Sequence, residues 1–121
     1  MSLKKSILLV DDEVEIVNFL ANFLGRLGIN TIKATSGEEA LKLYDKDKID
    51  FVFLDIQMQG IDGLTVLRRI KEVNPRARVI MITGKVDIVS QTKAKKGGAL
   101  DYITKPLDLG ELKEKVEKYI L

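Results

Sequence analysis

The sequence predicts an α/β fold built around a parallel β-sheet. Three apolar runs, residues 7–10, 51–54 and 79–82, lack the polar alternation of a half-exposed strand. Such runs are typical of strands that are buried on both faces, as in a parallel sheet. Segments with helical periodicity follow them, and strand and helix alternate five times along the chain. This alternation favours a parallel sheet with right-handed crossovers, although the pattern itself leaves the strand order open.

Two shorter segments complete the set of predicted strands. Residues 31–34 and 101–104 are less apolar, and we interpret them as the second and the fifth strand. The first predicted helix has an apolar face that ends at a glycine, a residue suited to terminate a helix. The residues of this face and its stop signal are Ile16, Leu20, Phe23, Leu24, Leu27 and Gly28.

Capping signals place the other helices. Ser36 with Glu39 forms a capping-box pattern, and Asp62 suits an N-cap. Asp108 with Glu111 opens the last helix. The third helix should end near residues 74–75, because proline restricts the residue before it. Residues 86–96 indicate a fourth helix with a thin apolar face. The apolar residues of the second, third and last helices are Ala40, Leu43 and Tyr44, then Leu67 and Ile70, then Leu109, Leu112, Val116 and Ile120.

Length and composition exclude several functional classes. The 121 residues suit a single domain that spans residues 1–121. Cys and His are both absent, which excludes disulfide frameworks, thiol nucleophiles, imidazole catalysis and the usual zinc sites. The net charge of +2 is too small to indicate nucleic-acid binding. We therefore expect any chemistry to use carboxylates, hydroxyls, lysines and backbone groups.

The sequence indicates no membrane association. The first apolar run, residues 7–10, is far too short for a membrane span or a signal-peptide core, and we expect a cytoplasmic protein. Lysines cluster in two places, and we interpret both clusters as solvated helix faces rather than binding patches. These lysines are Lys93, Lys95 and Lys96 in the fourth helix and Lys113, Lys115 and Lys118 in the last.

Polar residues stand where the predicted strands end. In chain order they are Asp11, Asp12, Asp55, Thr83 and Lys105. Ligands of open α/β sheets bind outside the carboxyl ends of the strands, so we expect these residues to converge on one site. Each of them alone is an ordinary turn or capping residue. Their joint occurrence at successive strand ends indicates a function.

The chemistry of this set is that of phosphoryl transfer. Crowded carboxylates disfavour one another's ionisation unless a cation lies among them. Oxygen ligands without His or Cys fit Mg²⁺, which prefers one or two carboxylates together with phosphate oxygens. An aspartate can also act as a nucleophile and form an aspartyl phosphate. A metal ion, a lysine and a threonine hydroxyl would then position the phosphoryl group and neutralise its charge.

The motifs around these residues resemble the response-regulator receiver family over nearly the whole chain. Residues 8–13 resemble the family's acidic pair after the first strand, and residues 82–84 its switch hydroxyl motif. Residues 54–58, followed by Gly60 and the pair Asp62-Gly63, resemble the acceptor motif. The closing motif is represented by Gly98-Ala99, Asp101-Tyr102 and Lys105-Pro106. Each motif is weak alone, and the ordered set is specific.

The resemblance implies a fold and an activity. The fold is a doubly wound, flavodoxin-like, five-stranded parallel sheet of order 2-1-3-4-5 with five helices. The activity is the acceptance of a phosphoryl group on Asp55, beside Mg²⁺, from a histidine kinase or a histidine phosphotransfer protein. Asp12 would ligate the metal directly and Asp11 mainly through water. Asp55 itself and the backbone carbonyl of Gln57 would complete the protein ligands.

The resemblance also implies a switch. Lys105 would pair with the phosphoryl oxygens, and its peptide bond to Pro106 would be cis. Thr83 would move its hydroxyl onto the phosphoryl group, and Tyr102 would turn inward behind it and remodel the surface around the fourth helix. Such a domain is regulatory rather than an enzyme, although it catalyses its own phosphorylation and dephosphorylation. One residue departs from the family pattern, because Gln59 stands where proline is frequent.

Other functional classes remain as alternatives. A haloacid-dehalogenase phosphatase needs a second Asp two positions after the nucleophile, where this chain has Gln57. A nucleotide-binding domain needs a glycine-rich phosphate loop, and the sequence contains no such motif. A stand-alone shuttle, similar to chemotaxis or sporulation phosphorelay proteins, competes with a receiver cut from a longer regulator, and we favour the stand-alone form. The cognate kinase and the downstream target are not predicted.

Overall fold

The computed structural model describes residues 4–84 and 88–121. Five strands and five helices alternate along the chain, as predicted. The strands are β1 (Ser6–Val10), β2 (Asn30–Ala34), β3 (Phe51–Asp55), β4 (Val79–Thr83) and β5 (Asp101–Thr104). The helices are α1 (Val14–Arg26), α2 (Gly37–Leu43), α3 (Gly63–Val73), α4 (Ile88–Lys96) and α5 (Leu109–Tyr119).

The strands form one parallel sheet of order β2-β1-β3-β4-β5. The predicted order is therefore confirmed. β1 and β3 pair in register, with Ile7 opposite Phe51 and Val10 opposite Leu54. All five residues of β3 and of β4 are buried, which explains why these segments lack polar alternation. Because the chain passes from β1 to β2 on one side and returns to β3 on the other, the carboxyl ends of β1 and β3 flank the switch point of the sheet.

Helices cover both faces of the sheet, and each face has its own apolar core. α1 and α5 pack on one face, where Leu20, Leu24 and Leu112 meet Phe53 and Ile80. α2, α3 and α4 pack on the other face. Side chains there include Ala40, Val66, Ile70, Ala94 and Met81. Neighbouring residues of a strand point to opposite faces, so a strand buried in both cores must be apolar throughout. This arrangement confirms the doubly wound fold.

The predicted N-caps are present. Ser36 Oγ accepts a hydrogen bond of 3.0 Å from the N–H of Glu39. The carboxylate of Glu39 accepts a hydrogen bond of 2.8 Å in turn. Its donor is the N–H of Thr35 rather than that of the cap residue Ser36. Asp62 accepts from the N–H of Thr65, and Asp108 caps α5 through the N–H groups of Gly110 and Glu111. These bonds satisfy N–H groups that have no partner within the helix.

The sequence periodicity predicted burial for two apolar side chains at helix ends that the structure leaves exposed. Leu109, expected on the buried face of α5, is 55% exposed, and Leu27, expected on α1, is 42% exposed. Both residues stand at helix termini. Periodicity indicates the side of the helix on which a side chain lies, but at a terminus the neighbouring elements leave that side partly uncovered. The described part of the predicted fourth helix is Ile88–Lys96, in which Ala94 is buried. Residues 86 and 87 of that prediction lie outside the described residues.

The loop between β3 and α3 closes on a glycine. The N–H of Gly63 donates to the carbonyl of Ile56 over 2.9 Å. A Cβ at position 63 would overlap the carbonyl oxygen of Asp55 and lie 2.7 Å from Cα of Ile56. Both of these atoms belong to the backbone and cannot rotate away. Gly63 therefore allows the 56–62 loop to close directly behind Asp55.

We expect Gly63→Ala to destabilise the protein. The added methyl group would push the loop away from β3, and overpacking of this kind lowers the free energy of unfolding by roughly 1–3 kcal/mol. Denaturant titration followed by circular dichroism measures this loss. Gly25→Ala is the matched control, because a Cβ at position 25 in α1 meets nothing within 4 Å. That variant should be neutral or stabilised by up to about 1 kcal/mol. Equal losses in both variants would contradict the assignment.

Candidate functional site

The carboxyl ends of four neighbouring strands bring the predicted polar residues together. Asp11 directly follows β1, Asp55 is the last residue of β3, and Thr83 is the last residue of β4. Lys105 directly follows β5, and its N–H donates to the carbonyl of Thr83 over 2.8 Å. Because parallel strands all end at the same edge of a sheet, residues up to 94 positions apart in sequence form one cluster.

Three carboxylates form the centre of the cluster. Asp11, Asp12 and Asp55 each offer an oxygen atom, and these atoms all lie within 4.8 Å of one another. Asp11 and Asp55 are 1% and 2% exposed, whereas Asp12 lies at the exposed rim. Buried carboxylates at such distances repel one another unless a positive charge is close.

Lys105 supplies that charge. Its Nζ lies 2.9 Å from Asp11 Oδ2, 2.9 Å from Glu13 Oε1 and 3.5 Å from Asp55 Oδ2. Partial burial opposes the charge on Lys105, but the contacts with Glu13, Asp11 and Asp55 outweigh burial and raise the pKa of the lysine. The peptide bond between Lys105 and Pro106 is cis. Lys105 is therefore held as a cation among carboxylates.

One ammonium does not balance the cluster. Burial, followed by the negative charge of Asp11, raises the pKa of Asp55 to about 7, and Lys105 only partly opposes this. Burial and the neighbouring carboxylate therefore disfavour the ionised form of Asp55. An additional cation at the site would favour the ionised and nucleophilic carboxylate.

The carboxylate cluster has the properties of a site for a hard divalent cation. Asp11 Oδ2 is buried and pairs with the ammonium of Lys105 over 2.9 Å. Because that one cation is shared with other carboxylates, its charge does not neutralise the cluster. The donor set consists of carboxylate and carbonyl oxygens, which suits Mg²⁺ better than a softer metal.

Glu13 is a site residue that sequence reasoning did not single out. Its carboxylate accepts a hydrogen bond of 2.9 Å from Lys105, and its backbone N–H donates to Asp11 Oδ1 over 2.9 Å. Its position directly after the acidic pair was the signal available in the sequence. Glu13 is also the N-cap residue of α1, so the start of that helix is tied to the site.

Backbone N–H groups of the 56–62 loop reach three carboxylates. Gln57 donates to Asp55 Oδ1 over 3.3 Å, and Gln59 donates to Asp12 Oδ2 over 3.3 Å. Ile61 donates to Glu38 Oε1 over 3.0 Å, and this bond lowers the pKa of Glu38. The metal-ligating role expected for the Gln57 carbonyl stays a prediction.

Thr83 and Tyr102 occupy different surroundings. Thr83 is 2% exposed at the end of β4, beside the carboxylate cluster. Tyr102 is 41% exposed and lines a cavity of about 410 Å³ between α4, β5 and α5. The structure therefore brings Thr83 to the site but leaves Tyr102 on the neighbouring surface. The roles expected of both residues in switching stay predictions.

The lysines of α5 do not all belong to a solvated face. Lys115 is partly buried and pairs with Asp101 over 2.6 Å, and Tyr119 donates to the same carboxylate oxygen over 2.9 Å. The hydrogen bond to Asp101 raises the pKa of Lys115. The predicted solvated face is therefore wrong for this lysine, which fastens α5 to the start of β5. The other lysines of the two clusters are exposed: Lys93, Lys95, Lys96, Lys113 and Lys118.

A family model and the similar proteins of known identity indicate the same family for this chain. The family model for the response regulator receiver domain matches residues 7–117. Sporulation initiation phosphotransferase F of Bacillus subtilis is 34% identical, over 98% of this chain and 95% of its own length. Transcriptional regulatory protein ZraR of Salmonella typhimurium is 37% identical over 95% of this chain. The match spans only 26% of the length of ZraR.

Solved structures show the same architecture. A CheY-like receiver domain protein from Methanospirillum hungatei superimposes with a TM-score of 0.90 at 26% identity, covering 96% of this chain and 93% of its own. The CheX–CheY–BeF₃–Mg²⁺ complex from Borrelia burgdorferi contains a chain with a TM-score of 0.90 at 36% identity. That match covers 97% of this chain and 90% of the other.

Proposed function

The chain belongs to the response regulator receiver domain family, and from this we propose that Asp55 is the residue that accepts the phosphoryl group. The chain is thus a receiver of two-component signalling with a regulatory role, and the phosphatase and nucleotide-binding alternatives are set aside. The observation that supports Asp55 most strongly is its place at the end of the central strand β3. There its buried carboxylate has an oxygen within 4.8 Å of the other two carboxylates and lies 3.5 Å from Lys105.

The reaction needs an ionised carboxylate and a neutralised phosphoryl group. An oxygen of Asp55 attacks phosphorus, the bond from phosphorus to the donor nitrogen breaks, and the electron pair leaves with that nitrogen. Asp55 acts as the nucleophile, and Lys105 stabilises negative charge on the transferred oxygens. Asp55 is 2% exposed, and this burial limits the access of water to its carboxylate.

We propose Mg²⁺ as the cofactor of this site. Asp12 would ligate it directly, Asp11 through water, and Asp55 and the Gln57 carbonyl would complete the protein ligands. When bound, the ion neutralises charge shared between the carboxylates and the phosphoryl oxygens. The acidic cluster, the buried carboxylate of Asp11 and the BeF₃ and Mg²⁺ named for the Borrelia complex support this proposal.

Receiver domains take phosphoryl groups from histidine kinases or phosphotransfer proteins, and we propose such a donor here. The similarity to a sporulation phosphotransferase over 95% of that protein's length supports a phosphorelay role. The similarity to ZraR spans about a quarter of that regulator. The choice between a stand-alone and a multidomain protein, and the single domain over residues 1–121, therefore stay predictions.

Membrane and nucleic-acid partners have no support in the described residues. No helix in residues 4–84 or 88–121 is long and apolar enough to cross a bilayer. We propose a cytoplasmic location, which fits a cysteine-free signalling domain. We also propose that this domain does not bind nucleic acid directly, since its net charge is only +2.

The proposed function is tested by incubation with acetyl phosphate or phosphoramidate. Intact-mass analysis should show the addition of one phosphoryl group in the presence of Mg²⁺ and almost none with excess EDTA, because the carboxylates then lack their second cation. After removal of the donor, the adduct should decay without any added phosphatase. Unmodified protein under all conditions would overturn the proposal, and equal labelling with EDTA would overturn its metal-dependent part.

We further propose that Thr83 transmits the phosphorylated state to α4 and Tyr102. Thr83 ends β4, and the described part of α4 begins five residues later with Ala94 as its buried side chain. A helix with few buried contacts has low local stability and shifts readily. The phosphoryl group can bias such an equilibrium only through a contact that differs between its states, and the Thr83 hydroxyl would make that contact.

We expect Thr83→Ala to separate labelling from switching. The variant should accept phosphate to the wild-type extent, since the hydroxyl is not the nucleophile. Amide hydrogen exchange in residues 88–96 should slow in wild type on addition of Mg²⁺ and beryllofluoride but change little in the variant. Thr31→Ala on the edge strand β2 is the control and should behave like wild type. Loss of labelling in Thr83→Ala would instead place the hydroxyl in the chemistry.

A further inference from the structure

Alternate backbone N–H groups of the 56–62 loop donate to carboxylates. The donors are Gln57, Gln59 and Ile61, and the acceptors are Asp55, Asp12 and Glu38 respectively. Two of these acceptors belong to the proposed metal site, whereas Glu38 lies in the first turn of α2. The loop therefore supplies partial positive charge to the site through its backbone.

The ends of this loop are held independently of the metal site. At its base the Gly63 N–H donates to the Ile56 carbonyl, and Asp62 caps α3. Ile61 is held by Glu38 over 3.0 Å, next to Gly60, whose φ of +78° favours glycine. Between these fixed points, the bond of 3.3 Å from Gln59 to Asp12 ties the middle of the loop to the cluster.

We propose that the Gln59 N–H competes with the metal ion for Asp12, so that residue 59 sets the metal affinity and couples metal uptake to the loop. This inference rests on the proposed function, in which Asp12 is a direct ligand. Asp12 lies at the exposed rim, and the Gln59 N–H holds its carboxylate over 3.3 Å. If Asp12 turns to the metal, that bond is lost. If it stays, the N–H withdraws charge from a ligating carboxylate. Both effects weaken metal binding.

The donor is a backbone group, so only one substitution removes it. Proline lacks the N–H, while alanine keeps it and removes the Gln59 side chain. Isothermal titration calorimetry with MgCl₂ should show that Gln59→Pro binds Mg²⁺ roughly three- to tenfold more tightly, which lies within the range expected for the net contribution of one ordinary hydrogen bond. Gln59→Ala should match wild type. Unchanged or weaker binding by Gln59→Pro would overturn the proposal, as would equal tightening in Gln59→Ala.

A second measurement avoids any change of backbone. In an NMR titration of wild-type protein with MgCl₂, the Gln59 amide proton should move upfield and exchange faster with solvent as its bond to Asp12 weakens. The Ile61 amide should stay protected, because its acceptor, Glu38, lies outside the metal site. A saturable titration in which the Gln59 amide does not move would overturn this inference and leave the proposed function intact. No Mg²⁺ binding by wild type would overturn this inference and the metal-dependent part of the proposed function.

Discussion

Asp55→Asn is expected to abolish phosphoryl incorporation from small donors. The amide is neutral and a poor nucleophile, while the surrounding carboxylates and Lys105 remain in place. Loss of a nucleophile removes the covalent step itself, so the rate of labelling should fall by more than roughly 10³-fold. Intact-mass analysis with acetyl phosphate and Mg²⁺ measures the effect as the disappearance of the singly phosphorylated species.

Two controls make this result specific to Asp55. Asp47→Asn changes an exposed aspartate outside the cluster and should be labelled like wild type. Asp55→Asn removes a negative charge that is buried beside Asp11, so the variant should fold at least as stably as wild type without metal. Circular dichroism checks this expectation. Full labelling of a correctly folded Asp55→Asn variant would show that another residue accepts the phosphoryl group.

Lys105→Met is expected to have the second largest effect. The lysine is the cation within 4 Å of Asp11, Glu13 and Asp55 in the described residues, and methionine keeps much of its length without its charge. Removal of one preorganised charge or donor at a reacting group slows reactions by roughly 10²–10³-fold. The rate of label incorporation at saturating Mg²⁺ should fall by this factor, while Asp55 itself remains available.

A matched lysine variant separates local from general charge effects. Lys46→Met removes one positive charge from an exposed position away from the strand ends and should leave the rate unchanged. Lys105→Arg keeps the charge but presents it on a planar group of different shape, so we expect a rate between those of methionine and lysine. If Lys105→Met were labelled at the wild-type rate, the contact of 3.5 Å with Asp55 would have no role in transfer.

The alternation of strands and helices and the set of polar residues at the strand ends were both predictable from the amino-acid sequence. Runs such as residues 51–54 lack polar alternation, which favours strands of a covered parallel sheet, and the structure buries the strand on both faces. In such a sheet all carboxyl ends lie at one edge, which predicts that Asp11, Asp55 and Lys105 converge there, while their separation depends on the strand order. The strand order came from the family resemblance, because local periodicity contains no information on which strands are neighbours.

The partners of the site residues were not predictable from the sequence, because they depend on how the folded elements meet. Three hydrogen bonds at the site join residues from separate parts of the chain. They link Lys105 to Glu13, the Gln59 N–H to Asp12, and the Ile61 N–H to Glu38. The pairing of Lys115 with Asp101 and the exposure of Leu109 are of the same kind. Periodicity specifies the direction in which a side chain leaves its helix or strand. Hydrogen bonds and burial depend also on the path of loops and the rotamers of side chains, which follow from how the completed elements pack.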